Sequence, residues 1–134
     1  MRNATVAFVV GGKAYIGCGF GTTPLGDLWE YDVESDNWTW KSDFPADGRS
    51  RLIAFGLRGD GYIGLGSTSR SKSYYNDLWR YDNETDTWKG AAQFPGVGRT
   101  QTGVFTINGS AFVGCGLETS QGLGLNDFSE FIPE

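Results

Sequence analysis

Histidine is absent from the 134-residue sequence, and with it the commonest general base and the commonest metal ligand. Enzyme readings that depend on an imidazole are thereby excluded. Cysteine is scarce, and Cys18 and Cys115 alone cannot decide a redox compartment. Basic side chains are outnumbered, eleven against sixteen acidic, and the formal net charge of -5 repels a polyanionic backbone at long range. Nucleic acid is therefore not an expected partner. No apolar run approaches the roughly 20 residues that span a bilayer, so membrane insertion is not expected. The first residues lack the basic and apolar regions of a signal peptide, and Met1 stands where the internal pattern would place a glycine; any export signal is expected to lie outside these residues. Periodic runs of helix formers are missing as well.

What is plentiful is glycine, at 21 residues, and aromatic side chains, with 5 tryptophans, 6 tyrosines and 9 phenylalanines. That mixture suits many short strands joined by tight turns. Self-similarity then organises the chain. The segment from Asp27 through Leu28, Trp29, Tyr31, Asp32 and Asp36 to Trp38 returns fifty residues later from Asp77 to Trp88, identical at eight of twelve positions. A worn third copy begins at Asp127 and Phe128. Upstream, Val6-Ala7-Phe8 with Gly12 and Tyr15-Ile16-Gly17-Cys18-Gly19 matches Ile53-Ala54-Phe55 with Gly59 and Tyr62-Ile63-Gly64-Leu65-Gly66. The third version is Val104-Phe105, Gly109 and Phe112-Val113-Gly114-Cys115-Gly116. Phe44-Pro45 to Arg49 and Phe94-Pro95 to Arg99 link the copies, and each linker ends in an arginine equivalent to Arg2.

Each unit reads as four strands, because short apolar stretches are separated by turn signals. In the first unit they fall at about Thr5 to Val10, Ala14 to Gly19, Leu28 to Tyr31 and Asn37 to Lys41. Gly11-Gly12, Arg58-Gly59 and Asn108-Gly109 suit tight hairpins. Four strands in about 50 residues, with glycines in the second strand and a spaced Tyr-Asp then Trp, resemble the kelch family, specifically its bacterial or galactose-oxidase-like propellers. The resemblance covers essentially the whole chain. It departs from the family in carrying Gly-x-Gly for the usual double glycine, at Gly17/Gly19, Gly64/Gly66 and Gly114/Gly116, where small residues are expected to let neighbouring sheets approach.

The expected fold is all-β: three antiparallel blades, about 2–48, 49–98 and 99–134, the last without its Trp-bearing outer strand, together resembling half of a six-bladed propeller. Both faces of the first strand are apolar, so each is expected to need cover. The two ends of an open stack would each leave one face bare. A homodimer closing a ring of 3 + 3 blades is the expected remedy, unless the chain is a fragment of a longer propeller.

Most chemically suggestive residues recur once per blade, and recurrence assigns them to architecture. Arg2, Arg49 and Arg99 are expected to pair with Asp27, Asp77 and Asp127. Asp32, Asp36, Asp82 and Asp86 fit turn capping better than a calcium or glycosidase site. Cys18 and Cys115 share a position with Leu65, the signature of a buried apolar site, and no intrachain disulfide is expected between different blades. The glycosylation-like triplets at Asn3, Asn37, Asn83 and Asn108 are what turn asparagines before strand threonines or serines generate anyway. No catalytic residue, metal ligand or cofactor is assigned. The resemblance to galactose oxidase implies histidine copper ligands, which this chain does not possess.

What does not repeat is the loop between the second and third strands, spanning about Phe20 to Gly26, Ser67 to Asn76 and Leu117 to Asn126. In a meander this loop and the blade-to-blade connection share one face. There Arg49, Arg51, Arg70, Lys72, Tyr74 and Tyr75 form the candidate ligand surface, basic and aromatic, suited to a protein or an acidic glycan. The reading is a noncatalytic binding and assembly module. The alternative is a fragment of a carbohydrate-active propeller enzyme, and the family resemblance leans towards an extracytoplasmic location.

Overall fold

The computed structural model describes residues 1–68, 73–118 and 122–134. They form eleven strands in three antiparallel sheets. The first sheet has the order β1 (Val6–Val10), β2 (Lys13–Gly17), β3 (Leu28–Asp32) and β4 (Asn37–Lys41). The second repeats it with β5 (Ile53–Leu57), β6 (Asp60–Gly64), β7 (Asp77–Asp82) and β8 (Thr87–Gln93). The third has three strands, β9 (Gly103–Ile107), β10 (Ser110–Gly114) and β11 (Phe128–Phe131). Strand, turn and repeat positions follow the expectations from sequence, and the sheets stack without closing into a ring. Among the described residues the third sheet has three strands, as expected.

Local chemistry explains the hairpins. Both central residues of each first turn have positive φ: Gly11 and Gly12, Arg58 and Gly59, Asn108 and Gly109. That is the type I′ geometry whose twist matches paired strands. The turn between third and fourth strands is held by Asp32, which accepts from the amides of Glu34 (2.9 Å) and Ser35 (3.4 Å), and by Asp82, which accepts from Glu84 (2.9 Å) and Thr85 (3.1 Å). Asp36 and Asp86 act differently. Each accepts the hydroxyl of the tyrosine five residues earlier, Tyr31 or Tyr81, and Asp86 also accepts the Ser42 amide of the first blade at 2.9 Å. Turn capping is thus the role of one aspartate in each pair, and the other ties strands or blades together.

The core lies between blades. Phe8 and Tyr15 stack at 4.9 Å, and Tyr81 of the second blade meets both edge-on. Phe55 and Tyr62 repeat the stack at 5.1 Å, and Phe131 of the third blade takes the edge-on place. Glycine admits the first of these contacts: a Cβ at Gly61 would strike the Phe8 ring, and one at Gly56 the Val9 carbonyl. The Gly-x-Gly pairs serve another purpose than expected. A Cβ at Gly17 or Gly64 would collide with the Asp27 or Asp77 carbonyl of its own sheet, and one at Gly19, Gly66 or Gly116 with the connection leading into its own blade. Close approach within a blade, not between blades, is what they permit.

Two apolar faces remain bare. On the first blade, Val9, Trp38 (52% exposed) and Trp40 (63%) face outwards. On the third, Phe105 (53%), Ile107 and Phe128 do so.

Candidate functional site

Each blade carries the same clamp where its entering connection meets its third strand. Arg2 grips Asp27 through both carboxylate oxygens at 2.7 Å. Arg49 grips Asp77 and Arg99 grips Asp127 in the same bidentate way. A second donor serves the Asp27 and Asp77 carboxylates, the indole N–H of Trp29 (2.8 Å) or Trp79 (2.9 Å). The third blade has Ser129 at that position. Arginine also reaches the carbonyl of Cys18, Leu65 or Cys115. Hydrogen bonds from arginine hold Asp27 and Asp127 below the ordinary carboxylate range. Burial alone would raise Asp77, but the donors from Arg49 and Trp79 overcome it.

This geometry corrects the candidate set. Arg49 is 1% exposed, spent on Asp77 and sandwiched by Tyr75, whose ring centroid is 3.7 Å from the guanidinium carbon, and by Phe44 at 5.2 Å. Neither its charge nor the stacked face of Tyr75 is free for a ligand. The Tyr75 hydroxyl donates to Asp47 at 3.3 Å. Tyr74 is half-buried, bridges to Ser67 and has its carbonyl against Gly98 of the next connection. Arg70 and Lys72 lie outside the described residues. Arg51 is the member that stands exposed.

Its backbone is informative. Ala4, Arg51 and Gln101 occupy the same place in successive blades, each with positive φ, at 52, 56 and 54°. The conformation recurs and belongs to the blade, while the side chain it presents changes from methyl to guanidinium to amide. The Arg51 amide donates to the Ala4 carbonyl at 3.5 Å, so these positions are neighbours on one face. The same face holds the loops. Bridges Asn3 to Phe20 to Pro24, Ser50 to Ser67 to Tyr74, and Thr100 to Leu117 to Gly124 bind each connection to its blade's loop. Variable side chains on a fixed backbone are what a recognition surface requires.

Burial, followed by the Asp27 charge, pushes the Cys18 thiol up to about 12, leaving it protonated. Cys115 is exposed, contrary to the expectation of a buried site, because its counterparts Cys18 and Leu65 are covered by a following blade and it is not. Glu30, buried between blades, accepts from Lys13 and Tyr15 at 2.8 Å each. Among the described residues no cluster of acidic or cysteine side chains could hold a metal ion. Reading by repeat passed over the outward Trp29, Trp38 and Trp40 of the first blade; Trp40, which replaces the pattern's Gly90, was the available signal.

No family model and no curated protein matches the sequence. Solved structures do. The chain is similar to YjhT, with a TM-score of 0.73 at 22% identity over 88% of this chain and 35% of that one. The likeness shows the fold. It also means that the chain spans about a third of the length of that structure.

Proposed function

We propose that this chain is a noncatalytic, kelch-type binding and assembly module, which closes a propeller by pairing with a second copy as 3 + 3 blades. The single observation behind this is the match between its two bare ends. Phe105 and Phe112 stack at 5.2 Å as Phe8–Tyr15 and Phe55–Tyr62 do, yet no edge-on ring from a following blade meets them. Tyr31 of the first blade is the counterpart of the edge-on Tyr81 and Phe131, and Ala14 is the counterpart of Ala111. The ends are thus the two halves of a junction the chain already makes twice, a head-to-tail contact that two copies can close.

On the closed module, the face bearing Arg51 would recognise a protein or an acidic glycan. A second reading, a segment of a longer carbohydrate-active propeller, is favoured by the fraction of YjhT that the chain spans. Sedimentation equilibrium separates them: a dimer that Phe105→Glu converts to a folded monomer supports the module, and a wild-type monomer refutes closure by self-pairing. For the ligand face, binding found on a glycan or peptide array should vanish in the Arg51→Ala/Tyr74→Ala double variant at unchanged melting temperature; retained binding refutes the assignment.

A further inference from the structure

The turn between β9 and β10 carries a pair of residues that the equivalent turns lack. Asn108 and Gly109 fill it, both with positive φ, where the first two blades have Gly11-Gly12 and Arg58-Gly59. Asn108 is exposed, and so are Gly11 and Arg58 although another blade follows each of them. The exposure therefore belongs to the turn. Of the six asparagines, Asn108 is the one followed by glycine. Each of the others precedes a residue with a Cβ, and the Asn76 amide is also held by the Phe94 and Gly96 carbonyls, at 3.5 and 3.0 Å. Ile107 pairs with Ser110 across the turn, which leaves the Gly109 N–H without an acceptor among the described residues. Arg58 of the second blade lies beside Gly109. Its Nε donates to the Gly109 carbonyl at 3.0 Å and its Nη1 to the Pro133 carbonyl at 3.1 Å, and a Cβ on Gly109 would sit 3.4 Å from that Nε. Both acceptors are uncharged, so the guanidinium keeps its positive charge against the turn.

We propose that Asn108 is a site of spontaneous deamidation, in which the main-chain nitrogen of Gly109 displaces the side-chain amide and the Arg58 guanidinium promotes the step. Stripped of its proton by hydroxide, that nitrogen bonds to Cγ of Asn108 as the Cγ–Nδ2 bond breaks. Ammonia leaves with a proton taken from water, and a five-membered succinimide remains. Water then opens the ring at either carbonyl, giving aspartate on the original main chain or isoaspartate, whose main chain runs through Cβ and Cγ. In sum one water enters and one ammonia leaves, with no change of oxidation state. Glycine permits the approach because no Cβ screens its nitrogen. A cation beside it favours both the deprotonated nitrogen and the oxyanion that forms at Cγ. The two products differ in consequence. Aspartate sets a carboxylate near Arg58 and keeps the two-residue loop, whereas isoaspartate adds a main-chain carbon to the loop and breaks the Ile107–Ser110 register that the type I′ turn fixes. The reaction involves neither the ligand face nor the ends of the stack, so it stands or falls separately from the proposed function.

The test keeps the whole folded chain in mildly alkaline buffer at physiological temperature and follows it by peptide-mapping mass spectrometry. An isoaspartyl methyltransferase with a labelled methyl donor gives a second readout. The mass gain of an NH2-to-OH exchange is expected at Asn108 before any other asparagine, with methyl label in the same peptide. Asn108→Gly, which copies the turn of the first blade, should abolish both signals. Arg58→Asn, whose side chain tolerates positive φ, should slow conversion at least about threefold at unchanged circular dichroism, and Arg58→Lys, which keeps the charge, should keep the rate. Conversion first at another asparagine, conversion only in urea-unfolded chain, or no conversion would overturn the site. An unchanged rate in folded Arg58→Asn, or an equal loss in Arg58→Lys, would overturn the part given to Arg58.

Discussion

Replacing Asp77 by asparagine should cost far more stability than the same change at Asp27, although the two carboxylates make the same bidentate contact. The difference lies in the arginine left behind. The Arg2 side chain is 35% exposed and can return its guanidinium to water, so Asp27→Asn should cost about 1 kcal/mol or less, as exposed pairs do. Arg49, at 1%, is held between Phe44 and Tyr75 and keeps the Leu65 and Asp47 carbonyls and one amide oxygen of the asparagine, all uncharged acceptors. An unpaired buried guanidinium puts Asp77→Asn at about 3 kcal/mol. With a urea m-value near 2 kcal/mol/M, that lowers the midpoint by about 1.5 M.

Asp127 discriminates between causes. It is the most exposed of the three carboxylates at 46%, but its partner Arg99 is as buried as Arg49. If arginine burial decides, Asp127→Asn resembles Asp77→Asn at about 2–3 kcal/mol, and urea unfolding at pH 7 showing it to be as mild as Asp27→Asn would refute the reasoning. The pH dependence has a definite sign. Asp77 and Asp127 are held below the ordinary value of 3.8, so their contribution is complete above that value and is lost as pH falls through the lower folded value. Asp77→Asn should therefore lose less stability than wild type between pH 4 and pH 2.

Gly61→Val drives a side chain into the Phe8 ring and should cost about 3 kcal/mol, while Gly90→Ala, which meets nothing within 4 Å, should be near neutral in thermal unfolding. A thiol reagent should modify Cys115 quickly and Cys18 only on unfolding, because Cys18 is buried with its thiol pushed up to about 12. Under conditions where the chain is dimeric, Cys115 should become protected as Leu65 is; equal rates in monomer and dimer would contradict the proposed closure.

Much of the fold was legible because the repeat exposed three registered examples of the first three strands and the clamp, and two of the fourth strand and the turn before it. The Arg–Asp pairing and the Asp32 and Asp82 turns could be read from recurrence alone. What recurrence concealed was direction. It aligned Gly17 with Gly64 and Gly114 without saying which neighbour each glycine approaches, and that neighbour proved to be the adjacent strand of the same sheet. It also treated Cys115 as equivalent to Cys18, although burial depends on whether another blade follows. Arg49 illustrates the same gap at the candidate site. The blade-to-blade connection placed Arg49 and Arg51 together on the ligand face, but Arg49 turns into the clamp and Arg51, two residues on, stays outside.

The clamps also connect architecture to recognition. Arg49 fixes the end of the connection through Asp77 and the Leu65 carbonyl, and the chain then enters the left-handed turn at Arg51 before β5 begins. A clamp precedes the left-handed residue in every blade, so the same backbone conformation follows it whether that residue is alanine, arginine or glutamine. Ala4, Arg51 and Gln101 differ in side chain while sharing a positive φ, each two residues beyond the clamping arginine of its blade. Side chains can thus differ at three positions on one face, the face proposed to take the ligand, while the backbone conformation stays constant.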